Sequence, residues 1–223
     1  MLLLDKIVED WAGLSFPRPI IALDGFEYSE GCFWCGKETV DARSCACSER
    51  HIPWSRVIRL GNYEKPLSNC ILGGKYAAWS DMLEQLGTIL GERIRGSVPP
   101  DSILVPIPMP PIRRFFRGIN HTAVIAEHAA RASNLKMRRI LWRGESTPQA
   151  SMTAAGRQRM KRNAMRLRPL ARIRGKNIVL IDDVLTTGKT LEVAANKLRK
   201  AGVSSIRVAV VAVTKMPKNG KKM

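Results

Sequence analysis

The chain has 223 residues, 45% of them hydrophobic, with 37 Lys and Arg against 19 Asp and Glu for a formal charge of +18. That length and apolar content suit one globular α/β domain carrying a small appendage, and exclude a mainly disordered or fibrous chain. So positive a balance points to polyanionic partners, because phosphate contacts dominate nucleic-acid affinity, although charge by itself leaves a merely soluble basic surface open.

In chain order, Met1 to Leu4 is too short an apolar run for a signal peptide, and Asp5, Glu9 and Asp10 follow at once. No stretch approaches the roughly 20 apolar residues of a membrane span, so the expected compartment is the cytosol. Leu2 to Trp11 has the spacing of a short amphipathic helix. Residues 1–55 are expected to form an amino-terminal segment whose notable feature is four of the five cysteines, Cys32, Cys35, Cys45 and Cys47, with Cys70 apart. Two close-set pairs in a reducing compartment suit a structural Zn²⁺ better than two disulfides, since four thiolates complete a tetrahedron and a segment without its own core needs a staple. Cys45 and Cys47 are one residue closer than the usual spacing, and His51 is an alternative fourth ligand.

The main domain is expected over 56–214, with 215–223 as a disordered basic tail. Arg56 to Leu60 reads as a strand, and Trp79, Leu83, Leu86, Leu90 and Ile94 recur at helical spacing up to Gly96. Between them Gly73-Gly74-Lys75-Tyr76 reads as a loop whose lysine reaches a phosphate or simply faces solvent. Ile103 to Pro108 begins as a buried strand and is stopped by its alternating prolines. A loop follows in which Arg113, Arg114 and Arg117 stand beside Phe115 and Phe116, suited to a pyrophosphate or to a single nucleic-acid strand. A helix is predicted from Asn120 to about Ser133. Residues 136–174 are dense in Arg and Lys, with a turn at Thr147-Pro148-Gln149-Ala150 and a helix predicted from Ala154 to about Leu167.

Asn177 to Thr190 is the most informative stretch. The apolar run Ile178 to Ile181 has the length and β-branched content of a central parallel strand, and Asp182 and Asp183 follow at its carboxyl end, where open α/β sheets place ligands. Adjacent carboxylates there can accept from two ribose hydroxyls or from the waters of a bound Mg²⁺. Thr186, Thr187 and Thr190 add hydroxyls, and Gly188 lets the backbone close on an anion at the start of a helix marked by Leu191, Ala194, Ala195 and Leu198 and stopped at Gly202. Gly188-Lys189-Thr190 also ends like a Walker loop, but the glycine required five residues earlier is Asp183, so that reading fails. Ile206 to Val213 closes the domain as a last apolar strand.

The run Val179-Leu180-Ile181-Asp182-Asp183-Val184-Leu185-Thr186-Thr187-Gly188-Lys189-Thr190 resembles the phosphoribosyl-pyrophosphate (PRPP) signature of type I phosphoribosyltransferases. With the cysteine knuckle, Val105-Pro106-Ile107-Pro108, Arg117-Gly118-Ile119-Asn120 and Thr147-Pro148-Gln149, the chain resembles the ComF (ComFC) family of bacterial competence proteins over about residues 30 to 214. The resemblance implies a type I phosphoribosyltransferase fold, a parallel sheet flanked by helices, with 136–174 as a basic hood in which Arg157, Arg159, Lys161 and Arg162 close over ligand or hold DNA. It gives Asp182 and Asp183 the ribose hydroxyls and the catalytic role, and Thr186, Thr187, Gly188, Lys189 and Thr190 the 5-phosphate. Lys75, Arg113 and Arg117 then face pyrophosphate or DNA. The function implied is assistance to single-stranded DNA uptake or processing in natural transformation, beside a ComFA-type helicase; whether phosphoribose is transferred stays open. The alternative is a nucleotide-salvage phosphoribosyltransferase for a purine or pyrimidine.

The zinc reading has a direct check: protein purified without chelator should carry about one zinc per chain on Cys32, Cys35, Cys45 and Cys47. A zinc content near zero contradicts it.

Overall fold

The computed structural model describes residues 32, 45, 52–76, 80–110, 119–144, 165–169 and 171–214. Within them the chain runs β1 (Val57–Asn62), α1 (Leu67–Tyr76), α2 (Ser80–Ile94), β2 (Ile103–Pro106), α3 (His121–Ser133), β3 (Lys136–Met137), β4 (Leu141–Arg143), β5 (Met165–Leu167), β6 (Asn177–Leu185), α4 (Lys189–Lys200) and β7 (Ser205–Val213). Five strands form one sheet in the order β1-β7-β6-β2-β3, every neighbouring pair parallel. The expected α/β fold, a parallel sheet flanked by helices, is therefore the one adopted.

Both faces of the sheet are covered, as an all-parallel sheet requires, and the two-residue period of a strand divides its side chains between two cores. Val179 and Ile181 of β6, with Ala209 and Val211 of β7, pack among residues of α1, α2 and α3. Ile178 and Leu180, with Val208 and Val210, pack on the other face against Leu191, Ala194, Ala195 and Leu198 of α4. Those four α4 residues are the stripe legible in the sequence, and Gly202 (φ 79°) follows the helix end in a conformation that favours glycine.

Helix α3 is bounded by its own side chains. The Asn120 carboxamide oxygen accepts from the Ala123 N–H, and Asn134, left-handed at φ 58°, donates its N–H to the carbonyls of Ala130 and Arg131. Helix α2 crosses it closely: a Cβ at Gly87 would lie 2.6 Å from the Ile125 carbonyl oxygen and one at Gly91 2.5 Å from that of Ala129. Two glycines four residues apart on one face of α2 thus let its backbone approach α3 where any side chain would hold the helices apart.

Two sequence-based expectations are corrected. Gly73 to Tyr76 is the last turn of α1 rather than a loop. Gly74 serves packing: a Cβ there would stand 2.4 Å from the Leu83 side chain of α2. The helix predicted to reach Leu167 does not extend there, because Met165–Leu167 forms strand β5 and pairs antiparallel with β4. Burial of Met165 and Leu141 in the α4-side core supports that pairing over local helical spacing.

Gly91→Ala is expected to destabilise the protein by about 1–3 kcal/mol through overpacking at the α2–α3 crossing. Urea unfolding midpoints of the two proteins check this, and equal midpoints would contradict it.

Candidate functional site

Strand β2 pairs with β6 only as far as Pro106 opposite Ile181, and the Ile107 N–H gives one further bond to the Ile181 carbonyl (2.9 Å). Beyond that point β6 continues to Leu185 beside β7 alone, so Asp182 and Asp183 lie within the strand but past the end of one neighbour. The crossover from β2 through α3 leads outward to β3, whereas that from β6 through α4 leads to β7 on the other side. The chain therefore reverses its winding between β2 and β6, and open α/β sheets bind ligands at such a switch point, outside the carboxyl ends of the strands.

The two carboxylates are locally ordered. The Asp183 N–H donates to Asp182 Oδ1 (3.0 Å), and the Val184 N–H to Asp183 Oδ1 (2.6 Å). Lys75, from the last turn of α1, places its Nζ 2.6 Å from Asp183 Oδ2, with both side chains largely buried. The cation expected to face pyrophosphate or DNA is thus in contact with the second signature acid. Burial, and then the charge of Asp183, push the Asp182 carboxyl up from 3.8 to about 8, against the pull of the Asp183 N–H, Lys75 and Arg143.

Downstream, Gly188 takes φ 73° and is the N-cap of α4, with its carbonyl accepting from the Glu192 N–H (2.8 Å). A side chain there would be strained by that φ and would come within 3.4 Å of both Leu185 and Trp54. Asp182, Thr186, Thr187, Gly188, Lys189 and Thr190 line one small cavity of about 70 Å³, in which Thr186, Thr187 and Lys189 are exposed. A larger cavity of about 500 Å³ opens at the end of β2, bounded by Pro106 to Met109, Ile119, Asn120 and the arginines 139, 143 and 168.

The phosphoribosyl transferase domain family matches residues 124–222, a span that holds both carboxylates and the whole turn into α4. The DNA utilization protein YhgH of Escherichia coli (strain K12) is 27% identical over 175 residues, covering 73% of this chain and 74% of that protein. Competence protein F of Haemophilus influenzae is 29% identical over 188 residues, covering 79% of this chain and 82% of that one. These matches support a ComF-family, phosphoribosyltransferase-like protein. Its fold is the phosphoribosyltransferase α/β fold. A solved hypoxanthine-guanine phosphoribosyltransferase of Bacillus anthracis also aligns with this ComF-family chain, at TM-score 0.42 and 15% identity over 65% of this chain and 75% of that one. Among the described residues no helix is long and apolar enough to cross a membrane.

Of the residues singled out in the ComF-family sequence, Asp182, Asp183, Lys75 and Thr186 to Thr190 are gathered around the end of β6. Cys32 is buried and Cys45 half-buried, while Cys35, Cys47 and His51 lie outside the described residues, as do Arg113, Arg117, Arg157, Arg159, Lys161 and Arg162. Sequence reasoning missed Trp54, which packs beside Gly188, and Arg143, whose charge acts on Asp182. Neither carried a signal, since each enters the site only through long-range contact.

The raised Asp182 carboxyl has a consequence for stability. From its usual range near pH 3.8 up to about pH 8 the folded chain holds a proton that the unfolded chain has released, so this group's contribution falls as pH rises through that window. Asp182→Asn should remove much of the decline. Urea midpoints of both proteins between pH 5 and pH 9 check it, and parallel profiles would contradict the assignment.

Proposed function

We propose that the chain binds Mg²⁺-PRPP at the end of β6 and assists the uptake or processing of single-stranded DNA. The observation that carries the first half is that Asp182 and the run Thr186 to Thr190 line one cavity at the switch point of the sheet. Paired carboxylates accept hydrogen bonds from the vicinal hydroxyls of a ribose, while threonine hydroxyls and amides at the amino end of α4 suit its 5-phosphate. The same acids fit a hydrated Mg²⁺, which takes carboxylate oxygens and keeps several waters while neutralising phosphate charge.

Lys75 and, by proposal, Arg113 and Arg117 supply positive charge for the pyrophosphate. Pentosyl transfer at such a site breaks the bond between C1 and the pyrophosphate oxygen as the acceptor bonds to C1. The part of the chain is to stabilise departing charge rather than to provide a nucleophile. The DNA half is supported by the names of the relatives, which speak of DNA utilization and of competence, and by the formal charge of +18. The reading places the protein in the cytosol beside a ComFA-type helicase, with zinc on Cys32, Cys35, Cys45 and Cys47.

A second reading, nucleotide salvage, is favoured by one feature, the cavity of about 500 Å³ at the end of β2, which has room for a purine or pyrimidine acceptor.

Calorimetric titration with PRPP tests the site that both readings share. Binding should require Mg²⁺ and weaken about tenfold or more in Asp183→Asn, the loss of a charge-assisted contact. Absence of PRPP binding by the folded wild type overturns both. Base-dependent release of pyrophosphate across a panel of purines and pyrimidines favours salvage over the DNA role.

A further inference from the structure

The hairpin of β4 and β5 carries a feature that the PRPP cup does not use. Its register sets Leu141 opposite Leu167, Trp142 opposite Arg166 and Arg143 opposite Met165. Leu141 and Met165 are buried in the α4-side core, so by strand alternation Trp142 and Arg166 stand together on the other face. Trp142 is 38% exposed, and it is the single large hydrophobic residue exposed to that degree among the described residues. The Arg166 guanidinium lies over the indole ring, 5.6 Å from its centroid.

A cross-strand cation–π pair accounts for one side of the ring. It does not account for a tryptophan left in water at the centre of a strongly basic surface. Residues 136–144 contain four Lys or Arg and residues 165–176 contain five, with no Asp or Glu in either stretch. Arg139, Arg166, Arg168, Arg172 and Arg174 are exposed, and Glu127 reaches Arg139 only at 4.0 Å while pairing with Arg131 at 2.8 Å. A partly exposed indole among exposed arginines matches a polyanion whose subunits carry exposed aromatic faces.

We propose that Trp142 and Arg166 form a stacking platform for a base of single-stranded nucleic acid, with Arg139 and Arg168 holding the flanking phosphates. This rests on the DNA half of the function proposed above and assigns it a site. A duplex is a poor occupant, because its bases are already stacked and present only edges and phosphates to a flat outward ring. The platform borders the cavity of about 500 Å³ that Trp142, Arg139 and Arg168 also line, so a bound strand would lie beside the mouth of that cavity.

The test uses the full chain with three probes of one length: an oligo-dT strand, an abasic strand of the same phosphate count, and a duplex. The wild type should bind oligo-dT more tightly than the abasic strand. Trp142→Ala should lower oligo-dT affinity about tenfold, to the abasic level, because one base–aromatic stack is lost while the phosphate contacts remain. Its salt dependence should be unchanged, Trp142→Phe should retain most of the affinity, and duplex binding should hardly move. Melting temperatures of the variants show that they are folded. Equal oligo-dT affinity in the wild type and a folded Trp142→Ala protein overturns the platform and leaves the DNA reading standing. Absence of any strand binding by the wild type at low salt overturns both.

Discussion

Two carboxylates on consecutive residues of a buried strand must find positive charge or keep a proton, and the crevice at the end of β6 is organised by that requirement. Asp183 is met by Lys75 at 2.6 Å, whereas burial and the charge of Asp183 push the Asp182 carboxyl up to about 8. Partly buried acids of this kind are costly to keep in a folded protein. Their retention at a switch point, beside a turn rich in hydroxyls, is the mark of a site that a cationic or hydroxyl-bearing ligand completes.

The rest of the domain can be understood as the means of holding that crevice open. Strand β2 stops opposite Ile181 because prolines interrupt it, and so β6 projects past its neighbour. Close approach of α2 to α3 across Gly87 and Gly91 fixes the layer from which α1 delivers Lys75. On the opposite face α4 is anchored by Leu191, Ala194, Ala195 and Leu198, and its first residues follow directly from the threonine turn. A change in either layer therefore shifts one wall of the same cleft.

The small hairpin of β4 and β5 gives the protein a second chemical character beside the first. One face is part of the core, and the other presents an indole and a guanidinium among exposed arginines. The hairpin also borders the larger cavity, and its Arg143, which lines that cavity, acts through its charge on Asp182 of the cup. That arrangement would let one molecule respond both to a small phosphorylated sugar and to a charged polymer, which is the combination proposed for this ComF-family chain.

Much of this was legible along the chain wherever the deciding physics is local. The run Ile178 to Ile181, the acid pair, the glycine-closed threonine turn and the α4 stripe are neighbours in sequence, so hydrophobic period and turn chemistry reveal them directly. The same holds for α3, whose caps at Asn120 and Asn134 bracket it. Local reasoning failed where a distant partner decided the outcome. Gly73-Gly74 looks like a loop until Leu83 shows why the helix needs Gly74 small, and Met165–Leu167 follows a helical pattern until β4 supplies a partner. Residue types and their order thus determined which groups would meet a phosphate. Only the folded sheet decided that Lys75 would answer Asp183 and Arg143 would act on Asp182, and that Trp142 would face water, because charge pairing and exposure depend on through-space distance.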